Sequence, residues 1–420
     1  MRAVGLITEY NPFHNGHLHH LEQSKVLADA EVAVAVMSGN FLQRGEAALC
    51  DKWRRTEMAL AAGVDLVVEI PYLFACNSAP YFARGAVLAL EGIGGINALC
   101  FGSEAGTLAP LQRCASLLIE MWTKVERGTQ RLLRQGMNYP AARAEIMRAL
   151  LDPEDGEILN SPNNILGIEY LKALTEVGSA LTPLTIERRG VGYHDQQGVG
   201  SIASATGIRR MLLEGEDVSH FLPVQTTTAL LNAANSGETP DPELFLRLLL
   251  ARILRGAESL SGLYQLENGL ENRLFEAALA ARTLDELIDG VKARQLTRTR
   301  VQRLLCHLLN EVEARPTQAL LRQGPLYLHL LGCSPTGERF LAASRKARKL
   351  PLISNYSRIH NQLQRFYGNK TKSYQLALEQ LRLELLASDN YALLQPGFSA
   401  RRQRDYYEPV RRVEGLEREV

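Results

Sequence analysis

The chain has 420 residues, of which 46% are hydrophobic and 22% charged, with a formal net charge of +1. That balance suits a soluble globular protein of two or three domains and makes no demand for a nucleic-acid partner by total charge. No apolar run approaches the ~20 residues of a membrane span, residues 1–8 form no basic leader, and six scattered cysteines fit a reducing cytoplasm better than a disulfide scaffold or zinc ribbon.

Ala3 to Ile7 is a short apolar run that predicts a buried strand. Gly16 to Ala28 carries apolar residues among polar ones at helical spacing. Between them lies Thr8-Glu9-Tyr10-Asn11-Pro12-Phe13-His14-Asn15-Gly16-His17-Leu18, with Asn-Pro and Asn-Gly as turn formers. Two histidines therefore sit where a first strand hands over to a first helix. Unpaired N–H groups and a positive dipole end make a helix start a phosphate site, and Gly16 lets the backbone approach a ligand. His14 and His17 are placed to donate to phosphate oxygens. His19 and His20 complete a cluster of four histidines, but no Cys or carboxylate interleaves them, so zinc is not expected. Spare histidines on a surface helix account for His19 and His20.

Glu31 to Met37 predicts a second strand ending in Ser38-Gly39-Asn40. Asp51 caps a helix running to about Ala62. Val64 to Ile70 is a third strand, Pro80 to Leu90 a helix, and Ala98 to Phe101 a fourth strand ending at Gly102-Ser103-Glu104. Alternating strand and helix implies a parallel sheet with its ligands outside the carboxyl strand ends. The histidine turn, Ser38-Gly39-Asn40 and Gly102-Ser103 would all lie there. Leu108 to Leu151 reads as two helices, the second rich in arginine. Asn160-Ser161-Pro162-Asn163-Asn164 precedes a helix to Glu176, with Ser161 or Asn163 as its cap. Leu181 to Glu187 is a fifth strand leading to Arg188 and Arg189, a pair suited to phosphate or carboxylate. Ser204 then caps a helix carrying Thr206 and Arg209.

Beyond Val218 the alternation stops. Pro240-Asp241-Pro242 marks a break, and helices follow over Leu244 to Ile253, Leu270 to Ala281 and Leu284 to Val291. Lys292 to Arg303 holds five basic residues and no acidic one, which suits either an RNA backbone or a solvated helix start. Tyr327 to Leu331 and Leu350 to Ile353 read as strands flanking a helix with Arg345, Lys346, Arg348 and Lys349. Lys370 and Lys372 form a third basic cluster before a last helix from Tyr374 to about Leu386. The fold class read from this order is α/β: a Rossmann-like parallel-sheet domain over 1–217, a helical basic region over 218–325, and a small α/β and helical C-terminal region over 326–420 that is expected to bind RNA.

The His14-Asn15-Gly16-His17 string resembles the H-x-G-H signature of the HIGH nucleotidyltransferase superfamily. Ile202-Ala203-Ser204-Ala205-Thr206-Gly207-Ile208-Arg209 resembles its second signature, I-S-S-T-x-I-R, with Ala205 in place of the second serine. The two lie about 190 residues apart, in the order that superfamily shows. The longer string from Glu9 to His17 resembles the bacterial tRNA(Met) cytidine acetate ligase family. That resemblance implies ATP as cosubstrate, acetate and elongator tRNA(Met) as partners, and a cytoplasmic enzyme. It implies a nucleotide segment comprising Ile7, Thr8, Glu9, Tyr10, Asn11, Pro12, Phe13, His14, Asn15, Gly16, His17, Leu18, His19 and His20, joined by Gly102, Asn163, Arg188, Arg189 and Arg209. His14, His17, Ser204 and Thr206 would stabilise the transition state. Mg2+ is expected on the triphosphate, with no protein ligand assignable. Glu9 and Asp195 are candidates for the proton acceptor. A metabolite adenylyltransferase would share both signatures without needing three basic clusters, and a non-catalytic regulator would not need all the signature residues intact.

Overall fold

A computed structural model describes residues 1–188, 202–267, 269–397 and 403–413. Eight strands among them form one sheet: β1 (Ala3–Thr8), β2 (Val32–Ser38), β3 (Leu66–Ile70), β4 (Ala98–Ser103), β5 (Thr182–Glu187), β6 (Leu328–Cys333), β7 (Leu352–Ile353) and β8 (Arg411–Arg412). The order is β5-β4-β1-β2-β3-β6-β7, with β8 also on β6. The first five are mutually parallel, as the strand–helix alternation requires.

β2 shows why the sheet is central. All seven of its residues are buried, and they divide by parity. Val32, Val34 and Val36 join one apolar core with Leu66, Val68 and Leu99. Ala33, Ala35 and Met37 join a second core with Val4, Leu6 and Val67. A two-residue period buried on both faces demands helices on both sides. Helices Ala79–Ile93 and Pro162–Glu176 cover the first face. Asn15–Leu27, Lys52–Ala61 and Ala205–Leu213 cover the second, through Leu21, Trp53, Met58, Ile208 and Met211.

The C-terminal unit does not build a sheet of its own. β6 pairs antiparallel with β3 across Leu66–Glu69 and Leu66's partner Cys333, and β7 and β8 extend from β6. β3 would otherwise be an unprotected edge, and β6 covers it. The stretch Leu108 to Leu151 also differs from the expected pair of helices. It forms Leu108–Glu120, Trp122–Arg134 and Tyr139–Arg148, followed by Pro153–Ile158. Met121 leaves helical geometry with ψ of 21°, and Gly136 takes φ of +90°, so each interrupts the run. The last helix is longer than expected, Lys372–Leu393, capped by Thr371.

Candidate nucleotide site

β1 delivers Glu9 to the carboxyl edge, and the chain turns through Tyr10 (φ of 48°) and the cis Asn11–Pro12 bond into His14. Tyr10 and Phe13 are buried beneath the turn. His14 is the N-cap of helix Asn15–Leu27. Its Nδ1 accepts from the Gly16 amide at 3.0 Å, and His17 Nδ1 accepts from the His14 amide at 3.3 Å. The pair is a capping box built from two imidazoles, with rings stacked 3.8 Å apart. Gly16 is required here: a Cβ would lie 2.9 Å from the His14 ring.

Burial decides the charge of the two rings, and the capping bonds decide which nitrogen carries the proton. Burial first, and then the nearby cations Arg188 and Arg209, hold His14 down at about 3. Burial, His14 and Arg188 push His17 well below the ordinary histidine value, opposed by the Pro12 carbonyl. Both rings are neutral at pH 7. With His14 Nδ1 accepting, its proton sits on Nε2, a neutral donor for an anion. His19 and His20 are half-buried rather than exposed. His20 Nε2 has no hydrogen-bond partner among the described residues, and burial lowers this ring to about 4. The expectation of spare surface histidines is corrected for His20, whose side chain turns into the protein. Ile7 and Leu18 are half-buried and Thr8 is buried. Asn15 Nδ2 donates to the His220 carbonyl at 3.1 Å.

The second signature meets the first. Arg209 donates to the Asn11 carbonyl at 2.9 Å and pairs with Glu46 at 3.2 Å. Ile202 comes within 3.7 Å of a Cβ placed on Gly16. Ser204 Oγ accepts from the Gly207 amide at 3.0 Å, so it caps its helix. Thr206 is exposed on the first turn.

A third group stands at the ends of β4 and β5, next to β1 in the sheet. Arg188 approaches Gly102 and lies 3.5 Å from Asn163 Oδ1. Glu104 accepts from Asn163 Nδ2 at 2.6 Å and from the Asn164 amide at 2.9 Å. Glu104 therefore caps helix Pro162–Glu176; neither Ser161 nor Asn163 does so. Asn164 is buried and bonds Ala105 and Ile158, which leaves half-buried Asn163 as the one facing Arg188. Arg189 and Asp195 lie outside the described residues.

Two groups escaped the sequence reading. Arg55 is fully buried and donates to four carbonyls: Cys50 at 2.9 Å, Glu9 at 2.7 Å, Ser38 at 2.9 Å, and Gly39. It ties the ends of β1 and β2 together and sets a positive charge beneath the turn. Glu9 itself accepts from the Gln43 amide at 2.8 Å and Ser38 Oγ at 3.3 Å, and burial raises its carboxyl. Nearby, buried Lys52 bonds Glu69 at 2.7 Å and Asp405, while His329 bonds Glu69 at 2.9 Å. Glu69, His329 and Asp405 are close enough to share an ion. The Lys52 ammonium already lies on both carboxylates, so its charge occupies the cation's place, and these residues do not fit a magnesium site. The only signal for either group was the cationic string Lys52-Trp53-Arg54-Arg55 directly after a strand-end loop.

Two of the five cations in the basic run are paired with carboxylates. Arg298 pairs with Asp285 and Asp289, Arg300 with Glu267, and Arg303 donates to the Gln43 carbonyl at 3.4 Å. Lys349 pairs with Glu91. Lys346, Lys370 and Lys372 are exposed.

Residues 1–406 match the HIGH Nucleotidyl Transferase family. A tRNA(Met) cytidine acetate ligase of Syntrophotalea carbinolica is 55% identical over 97% of this chain and 98% of its own length. The chain belongs to the tRNA(Met) cytidine acetate ligase family. A relative of that name from Halothermothrix orenii is 37% identical over 98% of this chain and 99% of its own. The apo crystal structure of Thermotoga maritima TmcAL superposes with a TM-score of 0.92 at 32% identity, covering 98% of this chain and all of that one. The same protein bound with alpha-thio ATP gives 0.88 over 98% and 99%. No helix among the described residues is long and apolar enough to cross a membrane.

Proposed function

We propose that this chain is a cytoplasmic ATP-dependent ligase that activates acetate as acetyl adenylate and acetylates N4 of the wobble cytidine of elongator tRNA(Met). The names of its relatives supply the substrate. The observation that carries the chemistry is the contact of Arg209 with the Asn11 carbonyl, which joins the two signatures at one strand edge.

An acetate oxygen attacks the α-phosphorus of ATP, and the bond to pyrophosphate breaks. Charge builds on phosphate oxygens, and fixed donors that need no rearrangement stabilise it most effectively. His14 and His17 supply neutral N–H donors, their rings held by the Gly16 and His14 amides. Ser204, Thr206 and the two helix starts add hydroxyl and amide donors. Arg188 and Arg209 neutralise the departing pyrophosphate, with Arg189 as a third cation. Mg2+ accompanies the triphosphate as part of the substrate. The cytidine amine then attacks the acetyl carbonyl, AMP leaves, and Glu9, whose burial raises its affinity for a proton, takes the amine proton. Holding amine and mixed anhydride together makes the second step effectively unimolecular.

Acetate-dependent exchange of pyrophosphate into ATP, without RNA, tests the first step. Wild type exchanges, and His17→Ala loses about 10²–10³ of the rate. Exchange unimpaired in His17→Ala would remove the histidine from the mechanism. Absence of exchange with wild type and acetate would defeat the reading.

A further inference from the structure

Helix Trp122–Arg134 buries Val125 and Thr129. Its cations Lys124, Arg127, Arg131 and Arg134 recur at spacings of three, four and three. At ~100° per residue that is one face, turned away from the buried pair. All four are exposed, and none has an ion-pair partner within 4.0 Å among the described residues. A cationic stripe this regular, left without ion pairs, contrasts with the paired Arg298 and Arg300.

The stripe ends at a groove. Gln295 Nε2 donates to the Leu133 carbonyl at 2.6 Å, and Arg294 passes 3.6 Å from a Cβ placed on Gly136. These contacts hold the 292–298 turn against the C-terminal end of the helix. The groove between them is about 640 Å³, lined by Asn138, Asp289, Lys292, Arg294, Thr297 and Arg298 among others. Asp289 is answered by Arg298 at 3.4 Å, while Lys292 and Arg294 are exposed and make no ion pair among the described residues. On the next helix, Tyr139–Arg148, Arg148 donates to Asn160 at 2.6 Å, three residues before Asn163.

We propose that this stripe and groove are the docking surface for the phosphodiester backbone of the substrate RNA. The proposal rests on the functional reading above and locates the RNA on a helix that reading did not use. Successive cations ~5 Å apart along a helix axis present a row of point charges to a row of phosphates. Asn138 and Thr297 add neutral hydrogen-bonding groups for sugar and phosphate oxygens.

The test compares three full-length variants with wild type: one with Lys124, Arg127, Arg131 and Arg134 all changed to Ala, one with Lys292→Ala and Arg294→Ala, and one with Lys370→Ala and Lys372→Ala. Unmodified tRNA(Met) transcript is titrated at several salt concentrations, and acetate-dependent pyrophosphate exchange is measured alongside. The first variant binds tRNA at least ~10-fold more weakly, and its salt slope falls by roughly three. The second shifts in the same direction by less, the third stays at wild-type affinity, and all three keep exchange within about twofold. Wild-type tRNA affinity and slope in the first two variants, with wild type still acetylating, would overturn the surface and leave the function standing. A loss confined to the Lys370/Lys372 variant would overturn it likewise. Equal loss of exchange and binding would show a fold defect and overturn the assignment. Failure of wild type to acetylate tRNA would remove the functional reading first.

Discussion

Lys52 and Arg55 lie one turn apart on the same helix, both fully buried, and they end in opposite surroundings. Lys52 meets Glu69 and Asp405. Burial alone would lower the ammonium, but the two carboxylates outweigh it and hold it above the usual lysine range, while Glu69 is drawn down to about 2. Arg55 meets carbonyls only, and burial lowers it. Charge pairing at Lys52 fastens the C-terminal segment to the sheet. Arg55 has no carboxylate in hydrogen-bonding contact among the described residues, and it fixes the backbone at the two strand ends that the proposed reaction assigns to the phosphates. One helix thus separates a structural ion cluster from an electrostatic platform by a single turn.

Removing the platform should have the largest effect. Arg55→Leu leaves four carbonyls without their donor, at about 1–3 kcal/mol each when buried, so a loss of about 5 kcal/mol is expected. Urea unfolding measures it; a loss under about 1 kcal/mol, of surface-mutation size, would show that water replaces the guanidinium freely. On the paired side, Asp405→Asn breaks a buried ion pair and should cost about 3 kcal/mol. Because Lys52 retains Glu69, acetate-dependent exchange by the folded variant should stay near wild type. Exchange falling as far as in an Arg55 variant would erase the distinction between the two clusters.

Acid separates the regions more gently. His14 titrates near 3 in the folded chain against about 6.5 unfolded. The unfolded state binds the extra proton, so this contribution is complete above 6.5 and is lost as pH falls toward 3. Each such ring contributes a slope of up to about 1.4 kcal/mol per pH unit in that window. His20, held at about 4, acts in the same sense. The Glu69 contribution is complete above about 4.5 and is lost as pH falls from there through about 2, below the histidine window. Unfolding free energies between pH 7 and 5 should therefore decline, and His20→Gln should flatten the decline. An unchanged slope in that variant would contradict the burial of His20.

The parallel core was legible because all-apolar runs such as Val32–Met37 have few alternatives, and the strand-end turn because Asn11-Pro12 and Asn15-Gly16 punctuate it. The choice between Asn163 and Asn164 was not legible: adjacent identical side chains differ only in which one Glu104 and the loop after β4 engage. Nor was the sheet's last edge, since β6 looks locally like the start of a separate α/β unit and only the exposed flank of β3 decides its place. Lys52 and Asp405 are 353 residues apart, and no local pattern links them. The ion pairs of the basic run were hidden for a related reason: Asp285, Asp289 and Glu267 come from preceding helices and loops that fold back onto Arg298 and Arg300.

The central claim is that the two signatures act on one triphosphate. A crystal structure of this chain with a non-hydrolysable ATP analogue tests it directly. Phosphate oxygens should lie within hydrogen-bonding distance of the His14–His17 turn and, on the same ligand, of Ser204, Thr206 or the amides that begin their helix. A triphosphate held by the histidine turn alone, with Ser204 and Thr206 beyond the reach of a bridging water, would contradict the account.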